Sequence, residues 1–284
     1  MLVLEKITHR FRDNLALKDI SGTADRGEVI AVIGENGSGK STLLSVIATF
    51  IKPTSGKIYY NNIDVFQSTK NVNNYRRYIT YASEKVKFVS ELSLKDNLLY
   101  FKNLFNSKKD VFEISKQVGI YDLLNQKPNS LSKGQKQRLS LAVSLLKEAK
   151  IVLLDEPAEG LDVETKNVVK EIVKELKQDN CMVFYVTHDE DEIEEVCDKI
   201  ITLKEGTLKF FGSVEEFWNI YEKFYVVTYE QSGRKITKVL NIESLKSLQE
   251  QSDIRILHIR NLGLREIINM SETDGVSTTR FNEG

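Results

Sequence analysis

Short, fully apolar runs alternate along this chain with longer segments in which apolar residues recur every three to four positions. The apolar runs cover residues 29–33, 151–154 and 181–186, and each has the length of one strand. Strands that are buried on both faces of a parallel sheet have this composition. The helical spacing covers residues 41–50, 94–105, 111–118, 135–146 and 162–176. Buried strands separated by amphipathic helices predict an α/β fold with a parallel sheet.

Shorter alternating segments accompany this core. Residues 2–7, 15–21, 57–60 and 78–82 predict strands, and residues 199–203 and 207–211 predict a closing hairpin. The mostly helical block at about 85–147 predicts a helical subdomain inserted into the α/β core. We therefore expect one domain over residues 1–212.

Gly212 and Ser213 mark a candidate domain boundary. Beyond them the pattern predicts helices at 214–220, 242–248 and 264–269, strands at 224–229, 235–240 and 254–260, and a polar, frayed end from about 271. A small accessory domain with helices and strands is therefore expected over residues 213–284. Its sequence contains no catalytic constellation.

Composition narrows the range of functions. The chain has 284 residues, 41% of them hydrophobic and 29% charged, and a formal net charge of -1. A packed core is therefore feasible, and no global field attracts nucleic acid or an anionic membrane. Cys181 and Cys197 lie in apolar segments without a histidine or cysteine cluster, which favours reduced thiols in a reducing compartment. No signal peptide is recognisable and no apolar run is long enough to span a bilayer, so another polypeptide would have to do the spanning.

A glycine-rich turn joins the first apolar run to the first helix. Residues 29–42 spell Val-Ile-Ala-Val-Ile-Gly-Glu-Asn-Gly-Ser-Gly-Lys-Ser-Thr, a phosphate-binding loop in its strand–turn–helix context. Glycines let the backbone approach a phosphate chain, and the helix N-terminus directs positive charge at it. The expected nucleotide contacts are Asn36, Gly37, Ser38, Gly39, Lys40, Ser41 and Thr42. Lys40 would bridge the β- and γ-phosphates, and the Ser41 hydroxyl would ligate Mg²⁺.

Two further apolar runs end in polar residues that could act on the same nucleotide. Asp155 and Glu156 close the run at 151–154, and His188 follows the run at 181–186. Ligands of parallel sheets bind at the carboxyl ends of the strands. We expect Asp155 to hold Mg²⁺, Glu156 to polarise an attacking water, and His188 to contact the γ-phosphate. Solvated strand-end residues are the alternative interpretation.

Two segments have a structural and a functional interpretation. Ser132 and Gln135 have capping-box spacing at a helix start, and the same helix N-terminus could bind a second anion. Phe11 lies in a polar stretch before the phosphate loop. It could pack at the edge of the core or stack on a purine base.

Taken together, residues 1–212 resemble the nucleotide-binding subunit of ATP-binding-cassette (ABC) transporters. Residues 34–41 resemble the Walker A motif. The segment Leu131-Ser132-Lys133-Gly134-Gln135 resembles the family signature, with Lys133 where a glycine is commonest. The segment Leu154-Asp155-Glu156-Pro157 resembles the Walker B motif with its catalytic glutamate. Residues 159–162, Glu-Gly-Leu-Asp, resemble the D-loop. The resemblance implies a P-loop NTPase (RecA-like) core with an antiparallel β subdomain and an inserted helical subdomain, plus a small C-terminal α+β extension.

The resemblance also implies roles for single residues. His188 corresponds to the switch histidine and Phe11 to the base-stacking aromatic. Ser132, Gly134 and Gln135 would close over ATP bound to a second, facing copy. Glu84 stands where the family usually has a glutamine, and it could still ligate Mg²⁺ while altering turnover or coupling.

The implied activity is ATP hydrolysis in a head-to-tail dimer, with ATP and Mg²⁺ as cofactors and a membrane-spanning permease subunit as partner. Residues 92–98 and the compact C-terminal extension resemble the ATPases of bacterial two-component exporters of drugs, antimicrobial peptides or other amphiphiles. We therefore expect a peripheral protein at the cytoplasmic face of a bacterial cell membrane and no nucleic-acid partner. The alternative is a soluble ABC-type ATPase acting on nucleic acid or ribosomes, and a nucleotide-binding scaffold without turnover is a third interpretation.

Overall fold

A computed structural model describes residues 1–83, 86–221 and 223–262 of the chain. Contacts divide the chain into two compact units. The first unit contains residues 1–187 and 191–212, and the second contains residues 188–190 and those from Ser213 onward. Among the described residues, no helix is long and apolar enough to cross a membrane.

The first unit is built on a ten-stranded mixed sheet with the order β5-β4-β1-β2-β10-β9-β3-β8-β7-β6. Its strands are β1 (Leu2–Phe11), β2 (Asn14–Ala24), β3 (Val29–Gly34), β4 (Ser55–Tyr60), β5 (Ile63–Asp64), β6 (Ile79–Ala82), β7 (Ile151–Asp155), β8 (Met182–Val186), β9 (Lys199–Lys204) and β10 (Thr207–Ser213). The β1, β2, β4 and β5 strands pair antiparallel. This part is the antiparallel β subdomain that the resemblance implied.

The parallel part of the sheet is buried on both faces. β3 pairs in parallel with β8 and β9, and β7 pairs in parallel with β8 and β6. Val152 and Leu154 of β7 belong to one apolar cluster, while Ile151 and Leu153 belong to another. Alternate side chains of a strand point to opposite faces, so β7 contributes to two cores. Its continuous apolar sequence is explained by this double burial.

Helices connect and cover these strands. They are α1 (Lys40–Ile47), α2 (Thr69–Tyr75), α3 (Leu94–Phe105), α4 (Val111–Gln117), α5 (Lys133–Leu146), α6 (Val163–Gln178) and α7 (Glu190–Val196), with single 3₁₀ turns at Tyr121–Leu123 and Pro128–Ser130. The α3, α4 and α5 helices lie between β6 and β7 in the chain and share one apolar cluster with alternate residues of β7 and β8. These observations confirm the expected α/β fold with an inserted helical part.

Two local details differ from the sequence-based expectations. The first helix ends at Ile47 rather than at residue 50, and Thr49 beyond it adopts a left-handed φ of 60°. The sequence pattern does not indicate the α2 helix, because its asparagines favour turns over helices. It nevertheless forms, with the Ser68 side chain accepting a hydrogen bond from the Asn71 amide and with Tyr75 buried.

The second unit contains α8 (Val214–Ile220), β11 (Phe224–Gln231), β12 (Arg234–Asn241), α9 (Ile242–Gln249) and β13 (Ile254–Asn261). Its antiparallel sheet has the order β12-β11-β13. Val227 and Tyr229 of β11 pack with Leu245 and Leu248 of α9 to form a small core. Ser213 caps α8 in a reciprocal capping box with Glu216. The helix expected at 264–269 lies outside the described residues.

Candidate nucleotide-binding site

The glycine-rich turn leaves the end of β3 and enters α1, as the motif requires. Gly39 has a φ of 106°, and a Cβ there would lie 2.7 Å from the Ala16 carbonyl oxygen. Gly37 has a φ of 84°, and a Cβ there would meet nothing within 4 Å. Gly39 is therefore required by close packing inside the fold, whereas the absence of a side chain at Gly37 keeps open space beside the loop.

Lys40 is held inside the turn. Its ammonium donates hydrogen bonds to the carbonyl oxygens of Gly34 at 2.8 Å and Glu35 at 3.1 Å, and the residue is only 7% exposed. The neighbouring Ser38 hydroxyl is buried and has no hydrogen-bond partner among the described residues. A buried hydroxyl without a partner is costly. A buried cation and an unsatisfied hydroxyl in one turn fit an anionic ligand such as a phosphate chain.

A cavity of about 750 Å³ opens beside this turn within the first unit. Its lining contains nine of the residues singled out from the sequence, namely Phe11, Asn36, Gly37, Gly39, Lys40, Ser41, Thr42, Asp155 and Glu156. It also contains Glu159, from the segment that resembles the D-loop, and residues that the sequence did not indicate, which are Asn14, Leu15, Ala16, Ser83 and Glu205. The last group comes from β2, from the residue after β6 and from the turn that follows β9, and no local motif marks these positions.

Phe11 lies at the end of β1, where its side chain is available for contact. It is 49% exposed, and its ring meets that of His9 edge-on with centroids 4.5 Å apart. An aromatic ring that is half exposed beside a phosphate-binding turn suits stacking against a base better than it suits a core position.

The end of β7 brings two carboxylates to the cavity. Asp155 accepts a hydrogen bond from the Tyr81 hydroxyl at 2.6 Å. Burial and the adjacent Asp155 raise the pKa of Tyr81 well above its ordinary range, so this hydroxyl keeps its proton. Glu156 adopts a left-handed φ of 53°, an uncommon conformation for a residue other than glycine. The Gln137 side chain donates to the Glu156 carbonyl oxygen at 3.2 Å and helps to hold this turn.

The environment of Glu156 strengthens it as a proton acceptor. Its pKa is raised by burial, by the neighbouring carboxylate of Glu159 and by Asp155, while Lys40 opposes this effect. Glu159 is itself paired with Lys133, with 3.5 Å between the Lys133 ammonium and the Glu159 carboxylate. Lys133, the lysine in the signature-like segment, therefore pairs with the Glu159 carboxylate within the same chain.

The signature-like segment forms a well-defined helix start. The Ser132 hydroxyl accepts from the Gln135 amide at 3.3 Å, and the Gln135 side chain accepts from the Ser132 amide at 2.9 Å. This reciprocal arrangement confirms the capping box. A Cβ at Gly134 would lie 2.5 Å from the end of the Leu161 side chain, which would have to shift. Ser132, Gly134 and Gln135 do not line the cavity.

Magnesium fits the donor set on one side of the cavity. The Ser41 and Thr42 hydroxyls and the Asp155 carboxylate all line it. Mg²⁺ is usually bound through one or two protein ligands together with substrate phosphates and water, and this donor set is of that kind. Within the described residues, no group of three or more His, Cys, Asp or Glu residues could hold a metal by itself. Glu84, which we expected to add a ligand, lies outside the described residues.

His188 belongs to the second unit. Residues 188–190 group with the C-terminal residues, and Glu190 accepts a hydrogen bond from the Asn261 side chain at 3.4 Å. The contact between His188 and a γ-phosphate remains a prediction. Both cysteines are free, and burial raises the pKa of each thiol.

Comparisons with known proteins agree with this geometry. The model of the ABC transporter family matches residues 17–159. The ABC transporter ATP-binding protein NatA of Bacillus subtilis is 30% identical over 227 residues, which cover 77% of this chain and 92% of that protein. The spermidine/putrescine import ATP-binding protein PotA of Mycoplasma mycoides subsp. mycoides SC is 31% identical over 252 residues, covering 87% of this chain and 71% of that protein.

Solved structures show the same architecture. A dimeric ATP-binding cassette in a post-hydrolysis state, bound to ADP and Pi, is 28% identical and superposes with a TM-score of 0.68 over 75% of this chain and 99% of that one. The ATP-binding subunit of an ABC transporter superposes with a TM-score of 0.70 at 26% identity, over 77% of this chain and 92% of that one. The chain therefore belongs to the ABC transporter family of ATP-binding proteins, and it is an ATPase.

Proposed function

We propose that the chain is the ATP-binding subunit of a membrane ABC exporter. It hydrolyses ATP to drive efflux of a drug, an antimicrobial peptide or another amphiphile through a separate membrane-spanning permease, at the cytoplasmic face of the membrane. The cavity that collects Lys40, Ser41, Asp155 and Glu156 carries the nucleotide part of this proposal. The export direction rests on the resemblance of residues 92–98 and of the compact C-terminal unit to exporter ATPases.

Nucleotide binding follows from the residues that line the cavity. The ring of Phe11 stacks on the adenine, and the amides of the turn from Asn36 to Gly39 face the phosphates. Lys40 exchanges its carbonyl partners for the β- and γ-phosphate oxygens. Ser41 and Asp155 would hold Mg²⁺, with Glu84 as a further candidate ligand, and Thr42 would add a contact to the nucleotide. When bound, Mg²⁺ neutralises developing charge on the phosphates.

Hydrolysis depends on Glu156. Its carboxylate orients a water and accepts a proton from it while the water oxygen attacks the γ-phosphorus. The bond from that phosphorus to the bridging oxygen breaks, so ADP and inorganic phosphate are the products. His188 contacts the γ-phosphate in this arrangement.

Two copies face each other head to tail in the working form. Ser132, Gly134 and Gln135 of one copy close over the ATP that is held by the turn of the other. The capped helix start is exposed at Ser132 and lies outside the lining of its own cavity, which supports a role towards a second molecule. The post-hydrolysis cassette that resembles this chain is dimeric. Closure depends on the γ-phosphate, so hydrolysis opens the dimer and the permease converts this cycle into transport.

Import is the second candidate function. The relative PotA is named as a spermidine/putrescine import protein, and its similarity covers 87% of this chain. An importer subunit would use the same ATPase cycle, because the residues around the cavity do not set the direction. The direction belongs to the permease, so the partner has to be identified.

The first experiment traps the closed dimer with its partner. Tagged Glu156→Gln protein is isolated from its native cells in mild detergent with ATP and Mg²⁺, and co-purifying proteins are identified by mass spectrometry. We expect lost hydrolysis, retained ATP binding and a multi-spanning membrane protein in the complex. Glu164→Gln, at an exposed position in the first turn of α6, is the matched control and should hydrolyse ATP normally. Ribosomal or DNA-bound proteins without a membrane component would refute the transport proposal.

The second experiment determines direction. The complex is reconstituted in vesicles with its ATPase subunits outside, and fluorescent amphiphilic dyes and labelled polyamines are offered with ATP and Mg²⁺. Export from the cytoplasmic side corresponds to ATP-dependent dye accumulation in these vesicles, and vesicles with the Glu156→Gln subunit should accumulate none. Release of preloaded polyamine, without dye accumulation, would instead identify an importer.

A further inference from the structure

Tyr81 makes a short hydrogen bond to a carboxylate at the nucleotide cavity. Its hydroxyl donates to Asp155 Oδ2 at 2.6 Å, and the pair is partly buried. Tyr81 was not among the residues indicated by the sequence. It does not line the cavity, so its influence on a nucleotide would pass through Asp155.

The register of two neighbouring strands explains this contact. β6 and β7 run in parallel, and Tyr81 is opposite Leu153. Leu153 and Asp155 are two positions apart and share one face of β7. The tyrosine side chain is long enough to lean along the strand, so its hydroxyl reaches the carboxylate one step beyond its own partner.

The surroundings fix the position of Tyr81. Two residues later, the Ser83 amide donates to the Ser140 hydroxyl at 3.2 Å, and the same hydroxyl donates to the Ser83 carbonyl oxygen at 2.9 Å. This pair of bonds ties the end of β6 to α5. The ring of Tyr81 also contacts that of Phe50, with centroids 5.6 Å apart. The hydroxyl is thus presented from an anchored strand rather than from a mobile loop.

We infer that Tyr81 is a positioning residue for the magnesium–nucleotide complex, acting by orienting the Asp155 carboxylate. A carboxylate has two oxygens that can accept hydrogen bonds, and its rotation is restricted when one of them is engaged. Oδ2 is held by Tyr81, which sets the direction in which the remaining oxygen and lone pairs face. Hydrogen-bond partners of metal ligands commonly control metal affinity in this way. The inference rests on the proposed role of Asp155 in holding Mg²⁺.

The test separates magnesium binding from nucleotide binding and from folding. Binding of a fluorescent ATP analogue is measured without divalent ions and then during titration with Mg²⁺, using wild-type protein and Tyr81→Phe. We expect the Mg²⁺ concentration at half-saturation to rise on the order of ten-fold in Tyr81→Phe. Binding without divalent ions should change less than about two-fold, because the contacts of the phosphate turn are untouched.

Tyr75→Phe is the matched control. Tyr75 is buried in the same apolar cluster that Tyr81 packs against, and its hydroxyl has no partner among the described residues. Its removal deletes the same atom without touching Asp155, so the Mg²⁺ titration should match the wild type. Melting temperatures of all three proteins without nucleotide show whether each variant is folded.

The possible outcomes have distinct meanings. An unchanged Mg²⁺ titration in Tyr81→Phe would overturn the inference, as would an equal loss of ATP binding without divalent ions or an equal shift in Tyr75→Phe. If Mg²⁺ fails to strengthen ATP binding even in the wild type, the proposed magnesium role of Asp155 fails first. A shift confined to Tyr81→Phe in the presence of Mg²⁺ supports the inference.

Discussion

Two glycines of the phosphate-binding turn should respond differently to the same added methyl group, one mainly in stability and the other mainly in ATP affinity. Gly37 and Gly39 both have positive φ, with values of 84° and 106°. Alanine at either position therefore incurs a backbone strain of about 1–2 kcal/mol. Their surroundings differ, since a Cβ at Gly37 meets nothing within 4 Å, whereas a Cβ at Gly39 lies 2.7 Å from the Ala16 carbonyl oxygen and 2.9 Å from Leu17 Cδ2.

The difference sets the expected cost to folding. In Gly37→Ala the strain stands alone, so the free energy of unfolding should fall by about 1–2 kcal/mol. In Gly39→Ala the Ala16 carbonyl belongs to the backbone and has to move, which adds an overpacking cost of about 1–3 kcal/mol. The gain from restricting the unfolded chain is the same for both substitutions and cancels in the comparison.

The order should be reversed for ATP affinity, which should fall more in Gly37→Ala than in Gly39→Ala. The new methyl group of Gly37→Ala occupies space beside the cavity, so we expect ATP binding to weaken about ten-fold or more, equivalent to at least about 1.4 kcal/mol. Urea unfolding without nucleotide, followed by far-ultraviolet circular dichroism, gives the stability of each variant. Fluorescence of Trp218, the single tryptophan, follows the second unit in the same samples. Equal destabilisation by the two substitutions, or wild-type ATP affinity in Gly37→Ala, would refute the reasoning.

Two other predictions follow from the same structure. Phe11→Ala should weaken ATP binding by about 1–3 kcal/mol, because a base loses its stacking partner, while the midpoint of unfolding stays near that of the wild type since the ring is half exposed. Equilibrium binding of ATP and of inorganic triphosphate checks this, and an equal loss for both ligands would contradict it. Burial, followed by Asp198 and Glu192, raises the pKa of Cys197 above its ordinary value of 9.0. The folded state therefore favours the neutral thiol. The contribution of this thiol to the free energy of unfolding is complete below the ordinary pKa and is lost as the pH rises above it. Cys197→Ala should lose less stability than wild type between about pH 8 and pH 10 in urea unfolding, and identical pH profiles would contradict this assignment.

The sequence predicts best those elements whose burial is visible in the pattern of apolar residues along the chain. β8 and the first four residues of β7 form continuous apolar runs because both of their faces are covered, and such strands stand out in any sequence. The capping box at Ser132 is equally visible, because both of its partners lie within one helical turn. The α2 helix lacks such a signal, since a polar helix with several asparagines differs little from a loop.

Those parts of the candidate site that are formed by contiguous residues can be predicted from the sequence. The phosphate turn and the carboxylates after β7 are contiguous motifs, so their residues could be named in advance. Asn14, Ser83 and Glu205 reach the cavity from separate turns and strands. Their place is decided by strand order and by packing between distant segments, and a local sequence pattern carries neither.

Tyr81 shows why a motif alone gives an incomplete account of such a site. On the sequence it is one aromatic residue in a short strand, and burial would suffice to explain it. Only the register with β7 places its hydroxyl two residues beyond its strand partner, at Asp155. The contact between Lys133 and Glu159 has the same origin, because the two residues are far apart in sequence. Each of the two side chains is more than half exposed. An exposed pair of this kind contributes little to stability, about 0–1 kcal/mol, whereas the Glu159 carboxylate raises the pKa of Glu156. Residues that tune this ATPase are therefore found by asking what touches Asp155 and Glu156, and a substitution that leaves every motif intact can still change how the site holds its nucleotide.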